Sequence, residues 1–578
     1  MAKSSLDVQE SAAPNDEQIT RSNEQHTARH EGELSKRSSL VGTAPSSEKK
    51  EATKESKPSM LKLFILFVSI FFSVFLMALN GSILATAIPQ ITTHFRSLED
   101  IGWYGSTYLI ATACMQPLVG KIYTHVPIKQ TYITFMATFT VGSVICGSAT
   151  SSKMLIGGRA VQGVGGAGIL NGAFAVIAST APEDQKPIFT GVGIALSTVG
   201  QVIGPLIGGA LTQNISWRWC FYISLPPAGV VLLVLTTVTI PEQTEKKPLR
   251  SNWKKLITSE LDLIGFALFA PASVMLLLAV IWGGNKFAWD SATIIGLFCG
   301  SLVTYIIFAT WQWHRGEKAM IPPHVIGRRL VLAGCATNLF QMASNTTLAY
   351  YLPLWFQVVK GATPTLSGVY LLPTAISQSI GAVVAGKIVQ VLRYCTPWAI
   401  FGSVVSAIGS GLITTFTPTT GTGEWIGYQI LVGTGRASVF QMPITAIQAF
   451  LPRNEQAMAT SQVFFCQYLG GTIFLAIAQT LFTSGLRSAL NRDAPGVDAE
   501  HIINVGASAV RSAVSPADLP GVLKAYNHAI VGVFYLAVGG TCGAFLACFG
   551  LGFKKLPQKG TIKKDVTTDL KRTESNVA

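Results

Sequence analysis

Two arginines stand in stretches that are otherwise apolar. Arg159 lies in Gly158-Arg159-Ala160-Val161-Gln162-Gly163, and Arg436 in Gly433-Thr434-Gly435-Arg436. A guanidinium in a membrane-length apolar run costs several kcal/mol unless it faces protein or water, so each marks a candidate site. The chemistry open to it is hydrogen-bond donation to amides, backbone carbonyls, water or an anionic group on a bound molecule. Arg159 falls near the end of its run, so it serves either a polar pathway or a structural role, reaching to the membrane surface. Arg436 falls near mid-run, too deep to reach either surface easily, and is expected to face a cavity. The 16 acidic residues between 61 and 552 all fall in loops or near the ends of apolar runs, with Asp262 coming closest to the membrane. No carboxylate is therefore expected beside Arg436. Amides are the expected partners: Asn80, Gln341, Asn345, Gln378 and Gln441, with Gln162 one turn beyond Arg159 on the same face. Most would brace helices and a minority would touch substrate.

Catalytic and metal chemistry find no footing. There is no HExxH, no Gly-Lys-Ser/Thr phosphate loop and no intramembrane Ser/His or Asp/Asp set. The nine cysteines fall within or beside apolar runs, without the spacing of a zinc site, and read as small buried packing residues. No cofactor is expected.

A different pattern is built from glycine. Gly200, Gly204 and Gly208 lie four apart and line one helix face, with Gly209 adjacent and Pro205 between them. Small residues at that spacing let two helices approach closely, and Pro205 removes a backbone donor and is expected to kink the helix. This is either ordinary close packing or the packing that sets how one half of the molecule moves.

The elements that must position these residues follow from composition. Of the 72 charged residues, 19 fall in residues 1–60 and 10 in 553–578, leaving 43 among the 492 between. A soluble core could not cover its surface so sparsely, and the mean hydropathy of +0.43 agrees. Soluble enzyme, nucleic-acid binder and secreted domain are excluded. Fourteen runs are long enough to cross a bilayer as helices. They lie near 61–83, 102–122, 129–149, 155–180, 188–212, 219–240, 261–282, 291–312, 331–356, 366–390, 396–416, 425–449, 457–483 and 527–552. With both tails cytoplasmic, the cytoplasmic loops carry 15 Lys and Arg and the short outer loops 5, which supports that orientation.

The chain repeats itself. Tyr108-Leu109 and Gly120-Lys121-Ile122 bracket the second run, as Tyr370-Leu371 and Gly386-Lys387-Ile388 bracket the tenth. The fourth run leaves through Pro182-Glu183-Asp184-Gln185, and the twelfth through Pro452-Arg453-Asn454-Glu455-Gln456. The expected fold is an all-α polytopic membrane protein of 14 transmembrane helices, two six-helix bundles plus a two-helix insert. A disordered cytoplasmic tail (1–60) precedes the first bundle (61–240). A linker with two inserted helices (241–330) leads to the second bundle (331–552, with a long outer loop at 487–526). A basic tail (553–578) ends the chain. Two repeated bundles are a transporter architecture, with substrate bound between them near the midplane.

These residues resemble the major facilitator superfamily, and within it the fungal 14-span drug:proton antiporters, over about 61–552. Arg159-x-x-Gln162-Gly163 is similar to the family's fourth-span motif, associated with proton coupling. Gly200 to Gly209 is similar to the antiporter motif of the fifth span. Trp217-Arg218-Trp219-Cys220-Phe221-Tyr222-Ile223 with Pro226 resembles the start of the family's sixth span, and Ala507 to Asn527 its last outer loop. Gly120 and Lys121 fit the superfamily's gating loop after the second span. Two positions depart from the pattern. Leu79-Asn80-Gly81-Ser82 puts an amide where many relatives carry a carboxylate, and Thr124 replaces the acidic residue of the gating loop. The resemblance implies export of small, largely apolar organic compounds (a mycotoxin, other secondary metabolite or drug) by proton antiport with alternating access. The alternative is a proton-coupled importer or facilitator of a small organic molecule or siderophore. It further implies a monomer in a lipid bilayer, the plasma membrane or else the vacuolar membrane, with a proton gradient as energy source and no nucleic-acid partner.

Overall fold

A computed structural model describes residues 60–96, 100–242, 260–284, 286–505 and 510–557. The expected N-terminal tail up to 59, residues 243–259 of the linker and the basic tail from 558 lie outside the described residues. Helices occupy all fourteen apolar runs. They are α1 (Met60–Ser82), α2 (Ile101–His125), α3 (Ile128–Gly147), α4 (Ser152–Thr180), α5 (Lys186–Asn214), α6 (Leu225–Thr237) and α7 (Leu263–Trp282). Then follow α8 (Ala292–Arg315), α9 (Arg329–Val358), α10 (Leu372–Leu392), α11 (Thr396–Ile413), α12 (Thr422–Phe450), α13 (Arg453–Asp493) and α14 (Leu519–Cys548).

Among the described residues, ten helices are long and apolar enough to cross a membrane; α2, α3, α9 and α12 are not in that set. Those four carry more polar residues, and these point inward. Gln116 and Lys121 on α2, Thr131 and Ser143 on α3, Asn338 and Gln341 on α9, and Gln429, Arg436, Gln441 and Gln448 on α12 are all buried. These helices hold polar groups that turn inward, where protein can satisfy them. Outward positions are aliphatic, as at Val230, Leu233, Leu302, Ile380 and Leu546.

The helix pairings repeat eight helices on. α1 packs on α5 as α9 packs on α13, α2 on α4 as α10 on α12, and α3 on α4 as α11 on α12. Likewise α1 meets α6 and α9 meets α14. Across the two sets, α5 meets α10 and α12, and α2 meets α13. The pair α7–α8 packs together, and α7 lies against both α2 and α13.

Some boundaries differ from expectation. The loop expected at 487–526 is largely helical. α13 runs on to Asp493, helices cover Ala499–Val505 and Val510–Ala513, and α14 starts at Leu519. The extension keeps its charges paired, Arg487 with Glu500 (2.6 Å) and Lys524 and Arg492 with Asp493 (3.3 and 2.9 Å), so the helix continues past its apolar part. The sixth run is broken, a turn at Trp219–Tyr222 preceding α6, with prolines in the first turn of α6. α5 runs uninterrupted through Pro205. Cys299 and Cys542 are exposed rather than buried, whereas Cys114, Cys146, Cys220, Cys335, Cys395 and Cys548 are buried, and all nine are free thiols.

Candidate functional site

Arg159 sits at the centre of a polar network in the first set of helices, with only its Nη2 left without a partner. Its Nε donates to the Tyr104 carbonyl (3.0 Å), and its Nη1 to the Asn80 carbonyl (3.2 Å) and Gln162 Oε1 (2.7 Å). Gln162 Nε2 in turn donates to Asn80 Oδ1 (3.0 Å) and Ser143 Oγ (2.8 Å), and Asn80 Nδ2 to the Leu76 carbonyl (3.0 Å). The Tyr108 ring lies under the guanidinium, 4.5 Å from its carbon, a cation–π contact. Four helices therefore meet on one arginine, and Arg159, Gln162, Asn80 and Ser143 are all fully buried. The surface-reaching alternative for Arg159 is excluded by that burial. Glycine makes the approach possible. A Cβ on Gly163 would lie 2.5 Å from the Tyr108 carbonyl oxygen, and one on Gly165 would lie 2.4 Å from the Phe139 nitrogen.

Arg436 has a thinner set of partners. Its Nη1 donates to Asn345 Oδ1 (2.8 Å) and its Nη2 to the Ser344 carbonyl (3.4 Å). Its Nε is buried without a partner, as are Gln341 Oε1 and both polar atoms of Asn338. Gln341 Nε2 reaches Ser406 Oγ at 3.5 Å, and Ser344 and Ser410 hydroxyls lie 3.4 Å apart. Asn338, Gln341 and Asn345 follow one another at helical spacing along α9. Neither arginine forms an ion pair among the described residues; the pairs present involve other cations.

Gln378 and Gln441 serve another purpose: they bridge the two sets of helices. Gln378 Nε2 donates to Thr198 Oγ1 (3.1 Å), and Gln441 Nε2 to the Pro187 carbonyl (2.5 Å). Gln448 joins them, accepting from Thr190 Oγ1 and donating to the Phe174 carbonyl, both at 3.3 Å. Glu183 lies 3.8 Å from Arg453 across the same seam. Most of these bridges cluster where α5 begins and α10 ends, and Gly386 there abuts the Pro187 carbonyl. That is also where α1 starts, with Phe67 stacked on Phe189, and where the chain after α14 returns, Leu556 N donating to the Arg393 carbonyl. We call this the tail side.

The expected gating residues Gly120 and Lys121 are not in a loop; α2 continues to His125. A Cβ on Gly120 would lie 2.1 Å from Ser461 Oγ of α13, so α2 and α13 close on each other there. Lys121 is buried and donates to the Ala319 and Lys318 carbonyls (2.6 and 3.2 Å). Next to that segment, Asp262 caps α7. It accepts from Gly265 N, Trp311 Nε1, Gln312 Nε2 and Met320 N at 2.8–3.1 Å. The glycine stripe packs within the first set. Cβ atoms on Gly200 and Gly208 would lie 2.7 and 2.3 Å from the Phe75 and Ile83 carbonyl oxygens, and one on Gly204 2.0 Å from Ser82 Oγ. Gly209 and its surroundings are open. Sequence reasoning missed Ser143, Tyr104, Gln312 and the Glu183–Arg453 pair. Only Glu183 and Arg453 carried a signal, as matching positions of the repeat.

Inward-turned polar residues and aliphatic outer faces define a helical membrane protein, and repeated bundles are an architecture transporters use. Residues 70–475 match the Major Facilitator Superfamily. The chain is 49% identical over 86% of its length to "MFS-type transporter pigP" of Monascus ruber, covering 87% of that protein. It is 44% identical to "Efflux pump mlcE" of Penicillium citrinum over 90% of this chain and 96% of that one. "Efflux pump mokI" of Monascus pilosus is likewise 44% identical, over 85% and 92%. In fold it is similar to the proton:xylose symporter XylE, at TM-score 0.55 and 14% identity over 86% of this chain and 97% of that one. It is also similar to a bacterial homologue of the lysosomal transporter Spinster, at TM-score 0.53 and 15% identity over 86% and 98%. The chain belongs to the Major Facilitator Superfamily, among its fungal transporters and efflux pumps.

Proposed function

We propose that this transporter exports small, largely apolar organic compounds of fungal secondary metabolism by alternating access. The observation that carries the reading is the tail-side seam. It is held by polar contacts (Gln441 on the Pro187 carbonyl, Gln448 on Thr190 and Phe174, Glu183 near Arg453) beside a small apolar contact of Phe174 with Phe464. Such contacts can open and re-form as the two sets of helices rock. In this reading fourteen helices cross the bilayer, residues 61–240 and 331–552 form the moving halves, and α7–α8 is an insert. Both tails are cytoplasmic, the membrane is the plasma membrane, and the chain works as a monomer without a cofactor. Gln378, Gln441, Gly120 and Lys121 belong to the gate, Arg159, Gln162 and Asn80 to the frame of the first half, and Arg436, Gln341 and Asn345 to the substrate pathway.

A proton gradient drives the cycle in this reading, as in the antiporters the sequence resembles. With an amide at Asn80, the proton is not carried by a carboxylate at that position. Energised membrane vesicles test the proposal. Outward substrate movement that collapses with a protonophore is expected; movement that follows ATP without a gradient would overturn it.

A further inference from the structure

Resting on the export reading for what enters the site, we infer that the transported compounds are organic anions: a large apolar body bearing a deprotonated oxygen acid that the Arg436 guanidinium receives. The argument begins with charge. Arg436 is nearly fully buried, and its partners among the described residues are one amide oxygen and one backbone carbonyl. A buried cation without an anion is held at a cost, and an arriving anion removes that cost. The guanidinium also has capacity to spare, because its Nε has no partner. Planar, bidentate donation to a carboxylate is the geometry for which arginine is suited.

The neighbourhood points the same way. Asn338 holds an unpartnered donor and an unpartnered acceptor two turns before Asn345 on α9, and Gln341 an unpartnered acceptor one turn before it. Buried polar atoms in native proteins are nearly always paired, so unpaired ones on the helix that supplies both partners of Arg436 fit a ligand that completes them. Arg159 supplies the control. It too lacks an ion pair, yet three hydrogen bonds and the Tyr108 face enclose it, and its cluster is complete without a ligand apart from Nη2. A cationic substrate would meet repulsion from Arg436, with no carboxylate facing that site among the described residues to receive it. A neutral carbonyl compound would satisfy the donors but leave the charge uncompensated.

Three fluorescent probes with one apolar body separate these classes: pyrenebutyrate, its methyl ester and a pyrenebutyl trimethylammonium salt. Their binding is measured at neutral pH to the full-length chain in lipid nanodiscs, with empty nanodiscs as blank. The acid is expected to bind at least about tenfold more tightly than the ester, and the ammonium salt more weakly than both. Arg436→Gln removes the preference for the acid, and Arg436→Lys retains part of it. The ordering in the unmodified protein decides the matter even if a variant misfolds. Equal affinity for acid and ester, tighter binding of the ammonium salt, or no binding of the acid would overturn the assignment. Export itself is read separately, as efflux of fungal metabolites from intact cells, and would survive any of those results.

Discussion

The two buried arginines occupy different kinds of surroundings. Arg159 is knitted to α1, α2 and, through Gln162, α3; its hydrogen bonds close a loop from Arg159 to Gln162 to Asn80. Arg436 is tied to α9 alone, by two contacts, and its Nε has no partner; further along α9, Asn338 and Gln341 also hold unpaired polar atoms. The same side chain in the same protein is thus a structural hub in one half and an open donor in the other. Burial does not tell them apart, because both are buried, and each leaves one nitrogen unpartnered; the number of helices that hold each one does. A charge in the membrane marks a position that matters, and its partners show whether it matters for folding or for binding.

The comparison breaks first if Arg159 can be removed without harm. Arg159→Ala strips donors from the Tyr104 and Asn80 carbonyls and from Gln162 Oε1, and leaves a cavity under Tyr108. A loss of about 3 kcal/mol is expected, since leaving the buried Gln162 Oε1 unpaired costs about 1–3 kcal/mol and the cavity adds to it. Thermal melting followed by size-exclusion fluorescence is the measurement, with a fall in melting temperature and in the yield of monodisperse protein. A variant that melts like the parent would make Arg159 an open site after all.

Arg436→Gln is expected to do the reverse. Folding should change by no more than about 1 kcal/mol, because only two hydrogen bonds are lost and a buried charge is relieved. Transport should fall at least about tenfold. Efflux from intact cells, normalised to protein at the membrane, checks it; normal efflux in a well-targeted variant would remove Arg436 from the pathway.

Much of this was legible in the sequence, and the limits were physical. Helix positions followed from apolar runs, because a bilayer imposes length and apolarity on what crosses it. Arg159, Gln162 and Asn80 were each visible as polar residues in apolar surroundings. That they join one another was not, because Asn80 and Arg159 are 79 residues apart and only packing brings them together. Gln378 and Gln441 were visible as amides that would either brace helices or touch substrate. A buried amide reads the same whether it faces a cavity or another helix, and the structure puts both at the seam. The extension of α13 to Asp493 was hidden because its last turns are polar, and polarity marks the end of a membrane run but not the end of a helix.

The glycine stripe sharpens the comparison at a smaller scale, because it fixes α5 against α1, the helix that supplies Asn80 to the Arg159 hub. Gly208→Ala would press a methyl group against the Ile83 carbonyl, while Gly209→Ala meets nothing. Gly208→Ala is expected to cost about 1–3 kcal/mol by overpacking. Gly209→Ala should leave stability unchanged or slightly raised, as alanine favours a helix over glycine. Melting of the two variants side by side is the check, and equal behaviour would mean that Gly208 does not set how closely α5 approaches the turn that follows α1.

Asn80→Asp bears most directly on coupling. The amide at Asn80 donates to the Leu76 carbonyl and accepts from Gln162. A protonated carboxyl can reproduce both contacts; an ionised one loses the bond to Leu76 but gains the field of the nearby Arg159 guanidinium. The two forms are therefore opposed by different partners, and the introduced group should exchange its proton as pH changes rather than stay locked in one state. Transport of the variant should then gain a pH-dependent limb that the parent lacks, read as efflux rate against external pH. If the profile is unchanged, the Arg159 hub is insulated from the proton pathway. The hub would then be purely a frame, and coupling would have to be sought in the other half, on the helices around Arg436.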